Sequence, residues 1–311
     1  MTLLADTTAL LSTEPVSHPI NQQLIKSYYE IAGMDYSAWS KNFNMHFGYC
    51  KHWTDAFNLE KMLNRMNEVA LEKLQVPENQ AVKMLDMGCG MGTVARFIAH
   101  RVPLAHITGI TIVPLQIEYG NKLAKNENVA QRVAIVENDY EKTDFADESF
   151  DFAYAVESGC YAQGEGKGLL IKEMQRVLKP GGRFVLIDGF LKRPAKQLPA
   201  FVKRINDKIC ECWALTEGFP EINSFTKHLH TQGLQEIIVK EISWKIAPSV
   251  AYVPYVTTKF FFNEVRKNKG LNLAQERWNN VMAPALGMLL GLCRPYFGYY
   301  VISGQKPITK F

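Results

Sequence analysis

The sequence predicts an α/β protein with a doubly wound, mostly parallel, seven-stranded sheet. Two observations carry this. Strand-like segments at 82–87, 106–112, 132–137, 150–156 and 183–189 alternate with helix-like segments at 93–101, 114–126 and 167–178. Repeated strand–helix units of this kind return each strand parallel to the last. The first junction reads Asp86-Met87-Gly88-Cys89-Gly90-Met91-Gly92-Thr93. An acid and three alternating glycines between strand and helix form a turn whose main chain can come close to a ligand.

Residues 1–19 carry Thr, Ser and two prolines without periodicity, and read as a loose leader. A helix is expected over 21–36. The stretch 38–51, with Trp39, Phe43, Met45, His46, Phe47 and Tyr49, is too irregular for a helix face. Leu59, Met62, Leu63, Met66, Val69, Ala70 and Leu74 recur at helical spacing, a core-facing stripe that Pro77-Glu78-Asn79 ends. Pro114 suits the first turn of its helix, and Pro180-Gly181-Gly182 is expected to stop the helix before it. Helices over 196–214 and 222–232 follow, then strands over 234–242 and 296–304. Between them, Trp244, Tyr252, Tyr255, Phe260, Phe261 and Phe262 mark a stretch too long for a simple connection. It reads as a cap over the ligand side of the sheet. The expected division is an N-terminal helical or lid segment, 1–75, and a domain, 76–311, with an aromatic-rich cap insertion around 243–282.

Composition narrows the class. With 311 residues, 47% of them hydrophobic, the chain can bury a sizeable core. A net charge of +4 without a run of five basic residues gives no nucleic-acid signature. Six cysteines are scattered, with only Cys210-x-Cys212 close together, so neither a zinc site nor a disulfide framework is expected. Reduced cytoplasmic thiols are the expectation. The longest apolar run, 281–293, contains Pro284 and falls short of the roughly 20 residues a bilayer span needs. It reads as a buried or lid helix, with a homodimer contact or a lipid surface as the other uses. No transmembrane segment is expected.

Further segments follow the glycine turn in a fixed order. Gly109-Ile110-Thr111 leads to Gln116 after the second strand, Asn138-Asp139-Tyr140 follows the third, and Val156-Glu157-Ser158-Gly159-Cys160 follows the fourth. Over roughly residues 80–190 this series resembles the class I S-adenosylmethionine (SAM) methyltransferases, which have a Rossmann-like fold. The resemblance implies that Gly88, Cys89 and Gly90 line the methionyl part of SAM while Asp86 holds its ammonium. Thr111 and Gln116 would lie near the ribose hydroxyls, and Asp139 and Tyr140 would flank the adenine. Many members end the second strand in an acid, where this chain has Gly109-Ile110-Thr111. The missing acid also argues against NAD.

The Gly-Ile-Thr form, the 156–160 segment and Asn44-Met45-His46-Phe47-Gly48-Tyr49 resemble one branch of that family. It holds sterol, γ-tocopherol, cyclopropane-fatty-acid and prenyl-diphosphate methyltransferases. The resemblance implies C-methylation of an isoprenoid in terpenoid secondary metabolism. The first expectation is a prenyl diphosphate such as farnesyl diphosphate, with or without cyclisation, as in sodorifen-type enzymes. The alternative acceptor is a phenol, amine, or sterol- or tocopherol-like molecule, methylated on O, N or C. An alkene that accepts a methyl cation becomes a carbocation, so its site needs a carboxylate, aromatic faces and a base. Glu157 is expected to serve as both carboxylate and base, with Trp39, Phe47, Tyr49 and Tyr161 lining the pocket. Tyr49 and His46 complete the candidate catalytic set, His46 as a general base. Alternatively His46 or His52, with Asn42 or Asn44, binds a diphosphate and Mg²⁺. No protein-bound metal is otherwise expected.

Overall fold

The computed structural model describes residues 18–267 and 275–308. Most of the expected leader and residues 268–274 of the expected cap lie outside the described residues. Strands β1 (Val82–Met87), β2 (Ala105–Thr111), β3 (Val133–Glu137), β4 (Phe150–Val156), β5 (Leu178–Leu191), β6 (Gln235–Glu241) and β7 (Phe297–Gln305) form one sheet. Their order is β3-β2-β1-β4-β5-β7-β6. β1 to β5 are parallel, and β7 runs antiparallel between β5 and β6. Strand order reverses between β1 and β4, which opens a crevice at their carboxyl ends. In β1 every residue but Lys83 is buried, as befits a strand covered by helices on both faces.

The helices are α1 (His18–Ala32), α2 (Leu59–Leu74), α3 (Thr93–Arg101), α4 (Pro114–Asn126), α5 (Gly168–Val177), α6 (Ala200–Cys212), α7 (Ile222–Thr231), α8 (Ser243–Val250), α9 (Val253–Lys267) and α10 (Gln275–Leu292). Asn58 caps α2 by accepting from Lys61 N at 3.0 Å, and the apolar stripe beyond it is buried from Met62 to Leu74. Pro114 opens α4. Among the described residues, the aromatic stretch between β6 and β7 folds into α8, α9 and α10. No helix among the described residues is long and apolar enough to cross a membrane.

One punctuation signal works differently from expectation. Pro180-Gly181-Gly182 lies inside β5, which begins at Leu178. The register with β4 shifts between Phe150 and Phe152, an irregularity where proline is tolerated in a strand. Gly181 N donates to Lys306 O at 2.9 Å and Lys306 N donates to Gly182 O at 2.8 Å, so the glycines stay paired.

The aromatic segment 39–50 is held against α2 and α8. Tyr49 N donates to Met62 O at 2.8 Å, and Gly48 N donates to Ser249 Oγ at 2.9 Å. A Cβ on Gly48 would sit 2.6 Å from Met62 Cβ and 2.7 Å from its carbonyl carbon. Backbone cannot yield as a side-chain tip can. Gly48→Ala is therefore expected to cost about 1–3 kcal/mol, read as a lower urea midpoint.

Candidate active site

β1 delivers Asp86 to the crevice, and the chain then turns through Gly88, Gly90 and Gly92 at φ of 80°, 53° and 68°. Side chains rarely adopt that conformation, and a Cβ on Gly88 would lie 2.5 Å from Ser158 Cβ. The turn is fixed from outside. Gly88 N and Cys89 N both donate to Ile110 O at 3.0 Å. Buried Arg96 donates to Met91 O and, at 2.9 Å, to Asn42 O.

The turn walls a first cavity with Thr111, Gln116, Asp139, Tyr140 and Ser158. Thr111 Oγ1 donates to Gln116 Oε1 at 2.6 Å, which orients the Gln116 amide. Asp139 Oδ2 accepts from Gln22 Nε2 of α1 at 2.7 Å, and its Oδ1 accepts from Glu141 N at 2.9 Å. Tyr140 is anchored by its hydroxyl, which donates to Ser158 O at 3.0 Å. Asp86 is 2% exposed, and its Oδ2 has no hydrogen-bond partner. Burial pushes this carboxyl up to about 8, against a small lowering by the nearby Tyr154 hydroxyl. That hydroxyl itself makes no hydrogen bond of ordinary geometry, so the carboxyl is unsatisfied.

A second cavity of about 450 Å³ lies beside the first. Tyr29, Met45, His46, Glu157 and Tyr161 line both and mark their junction. Trp39, Phe47, Trp213, Phe219, Phe260 and Tyr299 give the second cavity aromatic walls, and α8, α9 and α10 close over it. Its acids are Asp35, Glu157 and Asp188, while Arg294 is the one Lys or Arg among the described lining residues. Asp35 is neutralised by Arg277 at 2.9 Å. Asp188 accepts from Cys160 N at 2.9 Å and Gly189 N at 2.8 Å, and burial raises it to about 6.

Glu157 follows β4 at φ 50°, an uncommon conformation for a side-chain-bearing residue. Its main chain is locked there by Glu157 N donating to Ile187 O at 2.7 Å. Oε1 accepts from Phe47 N at 2.6 Å and from the Tyr299 hydroxyl. Neither bond engages Oε2. Burial pushes the carboxyl up to about 8, while the Tyr299 and Phe47 hydrogen bonds pull it down.

Comparison with known proteins fits this geometry. A methyltransferase domain model matches residues 84–182. Methyltransferase GfsG of Streptomyces halstedii is 32% identical over 268 residues, covering 85% of this chain and 87% of its own. The chain belongs to the class I SAM-dependent methyltransferases. Sterol 4-C-methyltransferase strm-1 of Caenorhabditis elegans is 38% identical over 163 residues, 51% of this chain; the match spans about half of that relative, 47%. The crystal structure of geranyl diphosphate C-methyltransferase from Streptomyces coelicolor A3(2) superposes with a TM-score of 0.66 at 16% identity. That match covers 94% of this chain and 99% of the other.

The first cavity brings polar side chains and open turn backbone together where a cofactor could be held. The unsatisfied Asp86 oxygen offers a partner for a buried ammonium, and the positive-φ glycines leave room along the turn. Asp86, Gly88, Cys89, Gly90, Thr111, Gln116, Asp139 and Tyr140 all line this one cavity. Asp139 also ties α1 to the cavity wall, its Oδ2 accepting from Gln22 Nε2.

The expected catalytic set is only partly brought together. Glu157 stands at the junction. His46 reaches it too, but its Nδ1 is engaged with Phe47 O at 3.0 Å and its Nε2 with Asn67 Oδ1 at 2.8 Å. Burial lowers its pKa, so this histidine is a structural link rather than a free base. Tyr49 lines neither cavity; it packs against the core with Lys245 Nζ 5.9 Å from its ring centre. Of the residues named for a diphosphate, His46 lines both cavities, whereas His52, Asn42 and Asn44 line neither. Asn44 is spent on Ser40, Glu60 and Asn67. Among the described residues, no group of three or more His, Cys, Asp or Glu could hold a metal ion. Tyr299, Asp188 and Gln22 are site residues that the sequence reading passed over. Tyr299 sits near the start of β7, and only the antiparallel pairing Gly189↔Tyr299 brings it to the site.

Proposed function

We propose that this methyltransferase methylates an alkene carbon of an isoprenoid held in the second cavity. The carrying observation is Glu157, a half-buried residue at the junction of the two cavities, its carboxyl gripped through one oxygen and flanked by aromatic rings. Bound SAM supplies an electrophilic methyl group and a sulfonium charge. Asp86 would hold its ammonium, the paired Thr111 and Gln116 its ribose, and Tyr140 its adenine.

Positive charge at the junction draws the Glu157 proton off, since a nearby opposite charge favours the ionised carboxyl. The carboxylate and the faces of Tyr29, Trp39, Phe47 and Tyr161 then stabilise a cation on the acceptor. Glu157 Oε2 takes a proton from the neighbouring carbon and restores an alkene. Tyr299 and Phe47 N keep the carboxyl aimed while this happens.

Acidic and aromatic walls favour an uncharged isoprenoid, such as a sterol-like molecule or prenyl alcohol, over farnesyl diphosphate. Arg294, the one Lys or Arg among the described lining residues, is already paired with Glu241, which leaves a diphosphate poorly served. The sterol methyltransferase relative lends this reading support.

The test is incubation with methyl-labelled SAM and a panel of sterols, prenyl alcohols, and geranyl and farnesyl diphosphates, the last two with and without Mg²⁺. Label on carbon in a hexane-extractable product of an uncharged acceptor is the expected outcome. Label found only with the diphosphates would keep the alkene chemistry and overturn the uncharged acceptor. Label on oxygen or nitrogen would overturn both.

A further inference from the structure

We infer that the exposed face of α9, together with the rim of the second cavity, docks on an anionic lipid surface. Tyr255, Lys259, Phe262 and Arg266 follow one another at helical spacing along α9, and all four are exposed. Tyr255 is 64% and Phe262 65% exposed. The helix's one acid, Glu264, is buried and paired with Arg277 at 2.7 Å, so α9 exposes no carboxylate beside Lys259 and Arg266.

The pattern continues onto the cavity rim. Trp244 and Leu292 line the second cavity yet are each 76% exposed, which puts them at its mouth. Arg294 stands 5.2 Å over the Trp244 ring but is paired with Glu241, so the cations offered to headgroups are Lys259, 5.9 Å over the Tyr255 ring, and Arg266. The turn Trp53–Phe57, tied to the start of α9 by the Tyr252 hydroxyl donating to Ala56 O at 2.9 Å, adds two more exposed rings.

Large aromatics held in water are unfavourable and mark a surface meant to be covered. A lipid interface satisfies both halves of this one. Amphipathic rings settle at headgroup depth, and the interleaved cations meet anionic headgroups. Docking at the mouth lets an apolar molecule enter the cavity without crossing water. The inference does not depend on the acceptor, and its test reads no methyl transfer.

The test is flotation of the full chain with vesicles of phosphatidylcholine alone and of phosphatidylcholine mixed with an equal part of phosphatidylglycerol. The chain is expected to float with the anionic vesicles. Lys259→Gln and Arg266→Gln should each weaken this by about fivefold. Tyr255→Ser with Phe262→Ser should weaken it by at least about tenfold. SAM affinity, read by calorimetry on each variant, is expected to stay unchanged and shows that the fold survives. Failure to float with either vesicle, or flotation that ignores all these substitutions, would overturn the inference. So would a dimer in light scattering that Tyr255→Ser and Phe262→Ser split into monomers, since a second copy would then cover the face.

Discussion

Glu157→Gln is expected to lower kcat by about 10³-fold, within the range for loss of an acid–base group, while SAM affinity changes little. Glutamine keeps the shape and an oxygen for Phe47 N. What it lacks is the charge that stabilises a cation and the ability to take a proton afterwards. Tyr299→Phe should act more mildly, because it removes one hydrogen bond and leaves the carboxylate. That bond holds the ionised form and pulls the carboxyl down, so its loss raises the pKa. With SAM and acceptor both saturating, the acid limb of the kcat profile should then move to higher pH. A structural role for Tyr299 would lower the rate without moving the limb. A Glu157→Gln enzyme that turns over at the normal rate would remove Glu157 from the chemistry altogether.

The first half of the site was legible because its residues are local. Asp86 to Gly92 is a contiguous strand end and turn, Thr111 ends its strand, and Asp139 and Glu157 follow theirs, strands whose apolar pattern can be read alone. Parallel strands then bring all these ends to one edge of the sheet. Tyr299 was not legible, because β7 enters antiparallel and presents its beginning where other strands present their ends. Gln22 was hidden for a related reason: its partner Asp139 is 117 residues away. His46 shows the opposite error. Its place in an aromatic segment suggested a base, and nothing local revealed that Asn67, on α2, would engage one ring nitrogen. Pro180-Gly181-Gly182 follows the end of α5 as expected, but β5 begins earlier than its own pattern suggests, because Gly181 and Gly182 pair with distant Lys306. Polar side chains in the 39–50 segment are partnered by distant elements, and such partners leave no trace in spacing.

Asp86→Asn is expected to weaken SAM binding by about 10–100-fold, the loss of one charge-assisted contact, and at the same time to stabilise the SAM-free protein. The two effects share one cause. Burial holds the folded carboxyl at about 8 against the ordinary value of 3.8. Below about pH 4 both folded and unfolded states hold the proton, and Asp86 costs nothing. Between about pH 4 and 8 the unfolded state is ionised while the folded state keeps its proton, so stability falls as pH rises. Above about 8 both are ionised and the loss is complete. Asparagine has no proton to release, so the variant should lose this slope, and its melting temperature at pH 8 should exceed the parent's by on the order of 5 °C. SAM binding reverses the balance, because its ammonium pairs with the ionised carboxyl. Parental affinity should therefore rise from pH 6 towards about 8 and fall beyond, where the α-amino group of SAM, with a pKa of about 8, gives up its own proton. The rising limb belongs to Asp86 and should vanish in Asp86→Asn, leaving only the fall. A variant that melts below the parent at pH 8, or that keeps the rising limb, would show that the buried oxygen is not the ammonium's partner.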